Sequence, residues 1–213
     1  PIIATMFVPL IWVLEEKEVF MKILNLAIPF IFLSQLASAD VEISLSNDSE
    51  KEEMKRTQVL RLIEQHDLSK WWFTDKIIID ESVRSPFSHP VLTLKASMPN
   101  NDPAGLSQLL HEQIHWFEDS KKKEVENTIS ALRKMYPSVP VGYPDGARSE
   151  FSTYLHLAVC LMELDALTEV LGKEKAETVI ATNGKYFYKW IYKTVLADQA
   201  SIRKVLENND LYI

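Results

Sequence analysis

The stretch DPAGLSQLLHEQIHWFED, residues 102–119, decides how the chain is read. Leu106, Leu109, Leu110, Ile114 and Phe117 recur at the spacing of a helix with a buried face. The run from Pro99 to Pro103 breaks whatever precedes it, and Asp102 as N-cap with Pro103 at the first helical position opens the helix. His111 and His115 lie four residues apart, hence on one face and one turn from each other. Two imidazoles placed so can reach one metal ion at about 2 Å. Glu112 stands beside them, where it can take a proton from a water molecule that the metal polarises. Residue types and spacing predict a Zn2+ site with its own general base, an arrangement suited to hydrolysing a carbonyl bond.

Two histidines leave such a site incomplete, and the remaining ligand is expected farther along. Residues 149–171 carry Phe151, Leu155, Leu157, Ala158, Val159, Leu161, Met162, Leu164 and Leu167, apolar on nearly every side, so this helix is expected to be buried. His156 and Glu163 stand within it seven residues apart, about two turns along one face. A carboxylate buried without a partner costs several kcal/mol, so Glu163 is expected as the third metal ligand. His156 is then expected near the open metal position, stabilising the oxyanion of the transition state. The reversed assignment, with His156 as ligand, satisfies the same spacing. Cys160 lies between them and reads as a small buried apolar residue.

Outward from these two helices the pattern changes. Lys51 to His66 reads as an amphipathic helix, and Ile77-Ile78-Ile79 as a buried strand. Val91 to Leu94 reads as a second strand, and residues 41–49 as a loose start. Further helices are expected at about 124–136, 173–182 and 185–208, with a proline- and glycine-punctuated loop over 137–146. Strands come early and helices late. The expected fold class is α+β, a small N-terminal sheet followed by a mostly helical body, one domain over 40–213.

The first 39 residues have another character. From Met21-Lys22 the chain runs through an apolar Ile23–Leu36 to Ala37-Ser38-Ala39, the three parts of a secretory signal peptide over 21–39. Cleavage leaves Asp40 at the mature N-terminus and a periplasmic or secreted protein, with residues 1–20 read as sequence upstream of the true start. Neither apolar run reaches the roughly 18–20 residues of a membrane span, so no span is expected in the mature form. The net charge of −7 argues against nucleic acid as a partner, since phosphate binding needs a basic face. With one cysteine no intramolecular disulfide can form, and the core must carry stability alone.

His111, Glu112, His115 and Glu163 together resemble the gluzincins, zinc metallopeptidases with His-Glu-x-x-His on one helix and a glutamate ligand on a later one. Metzincins are excluded, because Glu118 and Lys121 stand where that group has glycine and histidine. The resemblance covers about 75 residues, Val91 to Asp165. It implies a zincin-like fold, a peptide or protein substrate, and an edge strand such as 91–96 on which an extended peptide adds. It also implies a tyrosine donor in the transition state, for which Tyr188 and Tyr192 stand out, Tyr192 being taken as catalytic beside Glu112 and His156. The sequence departs from the pattern at Leu167, where many gluzincins carry an aspartate that orients a histidine. A zinc-binding interaction or regulatory protein without turnover is the alternative; the presence of Glu112 favours the enzyme, since a purely structural site needs no base.

Overall fold

The structure, a computed structural model, describes residues 41–213. The expected signal peptide and its upstream stretch lie outside the described residues. Among the described residues, no helix is long and apolar enough to cross a membrane.

The described chain opens with a β-α-β unit: β1 (Glu42–Leu45), α1 (Glu50–Gln65) and β2 (Lys76–Asp80). β3 (Leu92–Lys95) pairs with the other side of β2, so that three parallel strands stand in the order β1-β2-β3. The isoleucine run makes the central strand, with Ile77 and Ile79 fully buried. β1 corrects the expectation of a loose start: Ile43 and Leu45 turn inward while Glu42 and Ser44 face solvent, the alternation of a half-buried strand. α1 is capped by Ser49, whose hydroxyl accepts from the Glu52 amide.

The helical body follows as α2 (Asp102–Asp119), α3 (Lys122–Met135), α4 (Glu150–Leu171), α5 (Lys173–Asn183) and α6 (Lys189–Asn208). Strands early and helices late give the α+β class that the pattern predicts. α4 lies at the centre, against α2, α3, α5 and α6, which explains why its apolar residues leave no polar face. Leu157, Leu161, Leu164 and Leu167 are fully buried there, each contributing about 1.5–3 kcal/mol. α1 crosses α2 at Gly105, where a Cβ would meet the Gln58 side chain at 2.6 Å, so glycine permits the close approach.

Three local expectations are corrected. Asn101, not Asp102, caps α2: its side chain accepts from the Ala104 amide, while Asp102 is drawn away by Arg61 and Gln58. The last helix begins at Lys189 rather than 185, because Tyr188 before it takes a left-handed conformation (φ 50°). The edge of the sheet is partly covered as well. Phe87 exchanges both backbone hydrogen bonds with Thr93 (3.0 and 2.8 Å), an isolated antiparallel bridge that occupies the edge of β3 at Thr93, within the stretch on which a peptide was expected to add.

Candidate metal centre

α2 is fastened before it presents any chemistry. Gln113, inside the His-Glu-x-x-His motif and fully buried, accepts from the Phe73 and Thr74 amides and donates to the Thr74 carbonyl. Trp116 donates to the Ser88 carbonyl and stacks on His89 (ring centroids 4.4 Å apart). The motif helix thus holds the rim formed by residues 86–89. Between this rim and the first turns of α4 lies a cleft of about 660 Å³, lined among others by His111, Glu112, His115, His156 and Tyr188.

Three imidazoles meet at its floor. The ring centroids are 5.0 Å apart for His111–His115, 5.1 Å for His115–His156 and 5.5 Å for His111–His156, close to an equilateral triangle. Each δ nitrogen is engaged. That of His111 lies 2.9 Å from a Glu163 oxygen, that of His115 2.5 Å from a Glu118 oxygen, and that of His156 2.7 Å from the Ser152 carbonyl. The carbonyl partner makes the His156 δ nitrogen a donor and leaves its ε nitrogen as the free lone pair, while Glu163 and Glu118 orient the rings of His111 and His115. Among the described residues no hydrogen bond reaches the ε nitrogens. One nitrogen from each ring lies within 4.8 Å of the others, near enough to hold one metal ion.

A second grouping shares His111. One of its ring nitrogens, the Cys160 sulfur and a Glu163 oxygen also lie within 4.8 Å of one another. This group faces the interior, where Cys160 and Glu163 are fully buried. Glu163 already has partners: Ser107 donates to one oxygen (2.5 Å), while Tyr192 (3.1 Å) and His111 share the other. Asn183 in turn donates to the Ser107 hydroxyl. Burial pushes the Cys160 thiol up to about 11, so it is protonated at neutral pH despite His111 beside it.

Electrostatics separate the rings. Burial pulls His156 down to about 3 and His115 well below the usual imidazole value, with charge on His111 adding to both. Both are neutral at pH 7, the form that binds metals. Burial also opposes charge on His111, but hydrogen bonds to Cys160 and Glu163 outweigh it and raise its pKa. The metal-free centre therefore takes up a positive charge at His111, against the Glu163 carboxylate. Glu112 is nearly buried, and burial lifts its carboxyl to about 7, with His111 opposing and Glu163 reinforcing the shift.

His111, Glu112, His115 and His156 come together on the cleft, whereas Glu163 and Tyr192 lie behind it. Glu163, expected as the third ligand, sits on the far side of His111. Tyr192, expected to assist catalysis, is buried with its hydroxyl on Glu163 and does not line the cleft. Tyr188 does, its ring 4.5 Å from that of His156. Residues that sequence reasoning passed over are Ser107, Gln113, Glu118 and Asn183. Glu118 had a readable signal: three residues after His115, it faces that histidine one turn on. No protein-family model matches the sequence, and no curated protein or solved structure matches it significantly.

Proposed function

We propose that the chain is a zinc-dependent hydrolase of peptide bonds, with His111, His115 and His156 as the metal ligands and Glu112 as general base. One observation carries this reading: three imidazoles with engaged δ nitrogens, each with a nitrogen within 4.8 Å of the others, converge at the floor of a cleft that Glu112 also lines. Three protein ligands with a fourth position open to the cleft is the pattern of catalytic rather than structural zinc. Zinc held by these residues would supply Lewis-acid polarisation of a water molecule and of the scissile carbonyl. Glu112, ionised, takes the proton from the attacking water and passes it to the leaving amine. Tyr188, the cleft-lining phenol beside His156, is the donor for the charge that develops on the carbonyl oxygen. Glu163 and Glu118 hold His111 and His115 in position through their δ nitrogens.

The test is Glu112→Gln, compared with the wild type on a peptide library after both are loaded with zinc. The variant is expected to bind zinc as the wild type does and to lose about 10²–10⁴-fold in cleavage rate. If both proteins bound zinc and neither cleaved any peptide, the centre would be that of an inert zinc-binding protein.

A further inference from the structure

Arg148 stands where the cleft reaches the start of α4, and the reading just given does not use it. It lines the same cleft as His156 and Tyr188 and is exposed. Among the described residues it forms no ion pair, whereas Arg61, Arg133 and Arg203 each meet a carboxylate.

Its backbone, by contrast, is held firmly. The Ala147 amide donates to the Thr153 hydroxyl (3.0 Å), which donates in turn to the Pro140 carbonyl (2.9 Å). The Gly142 amide donates to the Ala147 carbonyl (2.7 Å). At Gly146 a Cβ would lie 2.0 Å from the Pro140 oxygen, so the loop closes on itself tightly just before the arginine. Ser149 then caps α4 through the Ser152 amide. An arginine without an ion-pair partner thus lines the cleft from an anchored backbone, its fork of N–H donors left for a ligand.

Near α4 the cation is Arg148, close enough to His156 and Tyr188 for its charge to act on both; the opposite wall carries Asp119 and Glu126 together with Lys122. A carboxylate entering near α4 is attracted by Arg148. The volume of about 660 Å³ falls among sites that enclose a small ligand or a short segment.

Building on the hydrolase reading, we infer that the cleft selects peptides carrying a carboxylate, which Arg148 binds through its fork of N–H donors. The carboxylate is either a free C-terminus or an Asp or Glu side chain; the chemistry is the same and the experiment separates the two.

The experiment uses the full chain with Glu112→Gln, zinc-loaded, so that binding is measured without turnover. Four fluorescent peptides share one neutral core sequence: one with a free C-terminus, one amidated, one amidated with an internal Asp, and one amidated with Asn there. Arg148→Gln is expected to weaken a carboxylate-bearing peptide about 10–100-fold, the range of a hydrogen bond to a charged group, and to leave the amidated and Asn peptides within twofold. Whichever of the free-C-terminus and Asp peptides responds identifies the source. Arg148→Lys is expected to fall between, since it keeps the charge but loses the fork. An equal effect of Arg148→Gln on all four peptides, no effect on any, or no binding of either carboxylate peptide would overturn the inference. Cleavage by the otherwise wild-type protein is followed on the same peptides. Cleavage indifferent to the carboxylate refutes the selection and leaves the hydrolase; Arg148-dependent binding without cleavage refutes the hydrolase and leaves the selection.

Discussion

Two buried polar clusters lie on either side of this fold, and they are built differently. At α1, Glu52 is fully buried and accepts from the Asn47 amide, the Asn47 side chain and the Glu81 amide. Lys55 is nearly as buried and donates to Gln58, which donates onward to the Met98 carbonyl and to Asp102. Apart from Lys55 to Gln58, which lies within α1, these bonds fasten α1 to a neighbouring loop or helix, and none of these residues lines the cleft. At the histidines the same kind of bonding secures the δ nitrogens, Gln113 and Glu163, yet all three rings line the cleft, each with a nitrogen within 4.8 Å of the others. Burial of polar groups is common to both clusters. A place on an accessible cleft distinguishes the second cluster, and it is on this difference that the proposed function rests.

The comparison breaks most visibly at His156. Replacing it by alanine is expected to weaken metal binding by about 1,000-fold, the share of one ligand in a tightly held zinc, with the helical circular dichroism spectrum retained. A metal affinity close to wild type, measured by competition with a chromogenic chelator, would move the site to the inner group.

Lys55 tests the closed cluster by pH. Burial lowers its pKa to about 8, with Asp102 partly opposing, against about 10.4 in the unfolded chain. Between these values the unfolded state binds the proton that the folded state has released, so stability rises with pH across that window. Relative to Lys55→Met, wild-type stability from urea titrations is expected to climb by up to about 3 kcal/mol between pH 8 and 10.5, and to run parallel below pH 8. Metal affinity at pH 7 is expected to be the same in both proteins. A flat difference across the alkaline window would mean that Lys55 is not desolvated as its burial implies.

Glu163 gives the finest distinction. As the group that orients His111, its replacement by glutamine is expected to lower metal affinity about 10–100-fold. A loss as large as that of His156→Ala would instead make Glu163 a ligand.

The motif was legible because the helical period alone places His111 and His115 on one face. The burial of α4 was legible for a similar reason, since its apolar residues cover every direction. The choice between His156 and Glu163 was not. They share one face, and only their depth separates them: His156 reaches the cleft at the N-terminal end of α4, while Glu163 lies about two turns deeper against Ser107 and Tyr192. Depth is set by how α2 and α4 pack, which periodicity does not encode. The different places of the two tyrosines have a local cause. One continuous helix from residue 185 puts Tyr188 and Tyr192 on the same face, but the left-handed backbone at Tyr188 turns it toward the cleft and leaves Tyr192 behind. β1 was hidden because four residues carry too short an alternation to stand out from a polar stretch. The cover over β3 went unseen because Ser85-Pro86 and His89-Pro90 read as loop, and its pairing depends on a single residue, Phe87.

Metal ligation is tested most directly by X-ray absorption at the zinc edge of the loaded full-length protein. The expected signal is three imidazole nitrogens and one further light atom at about 2.0–2.1 Å, with the multiple scattering of imidazole rings and no sulfur. A sulfur neighbour at about 2.3 Å would place the metal at Cys160, in the buried group behind His111, and contradict the assignment.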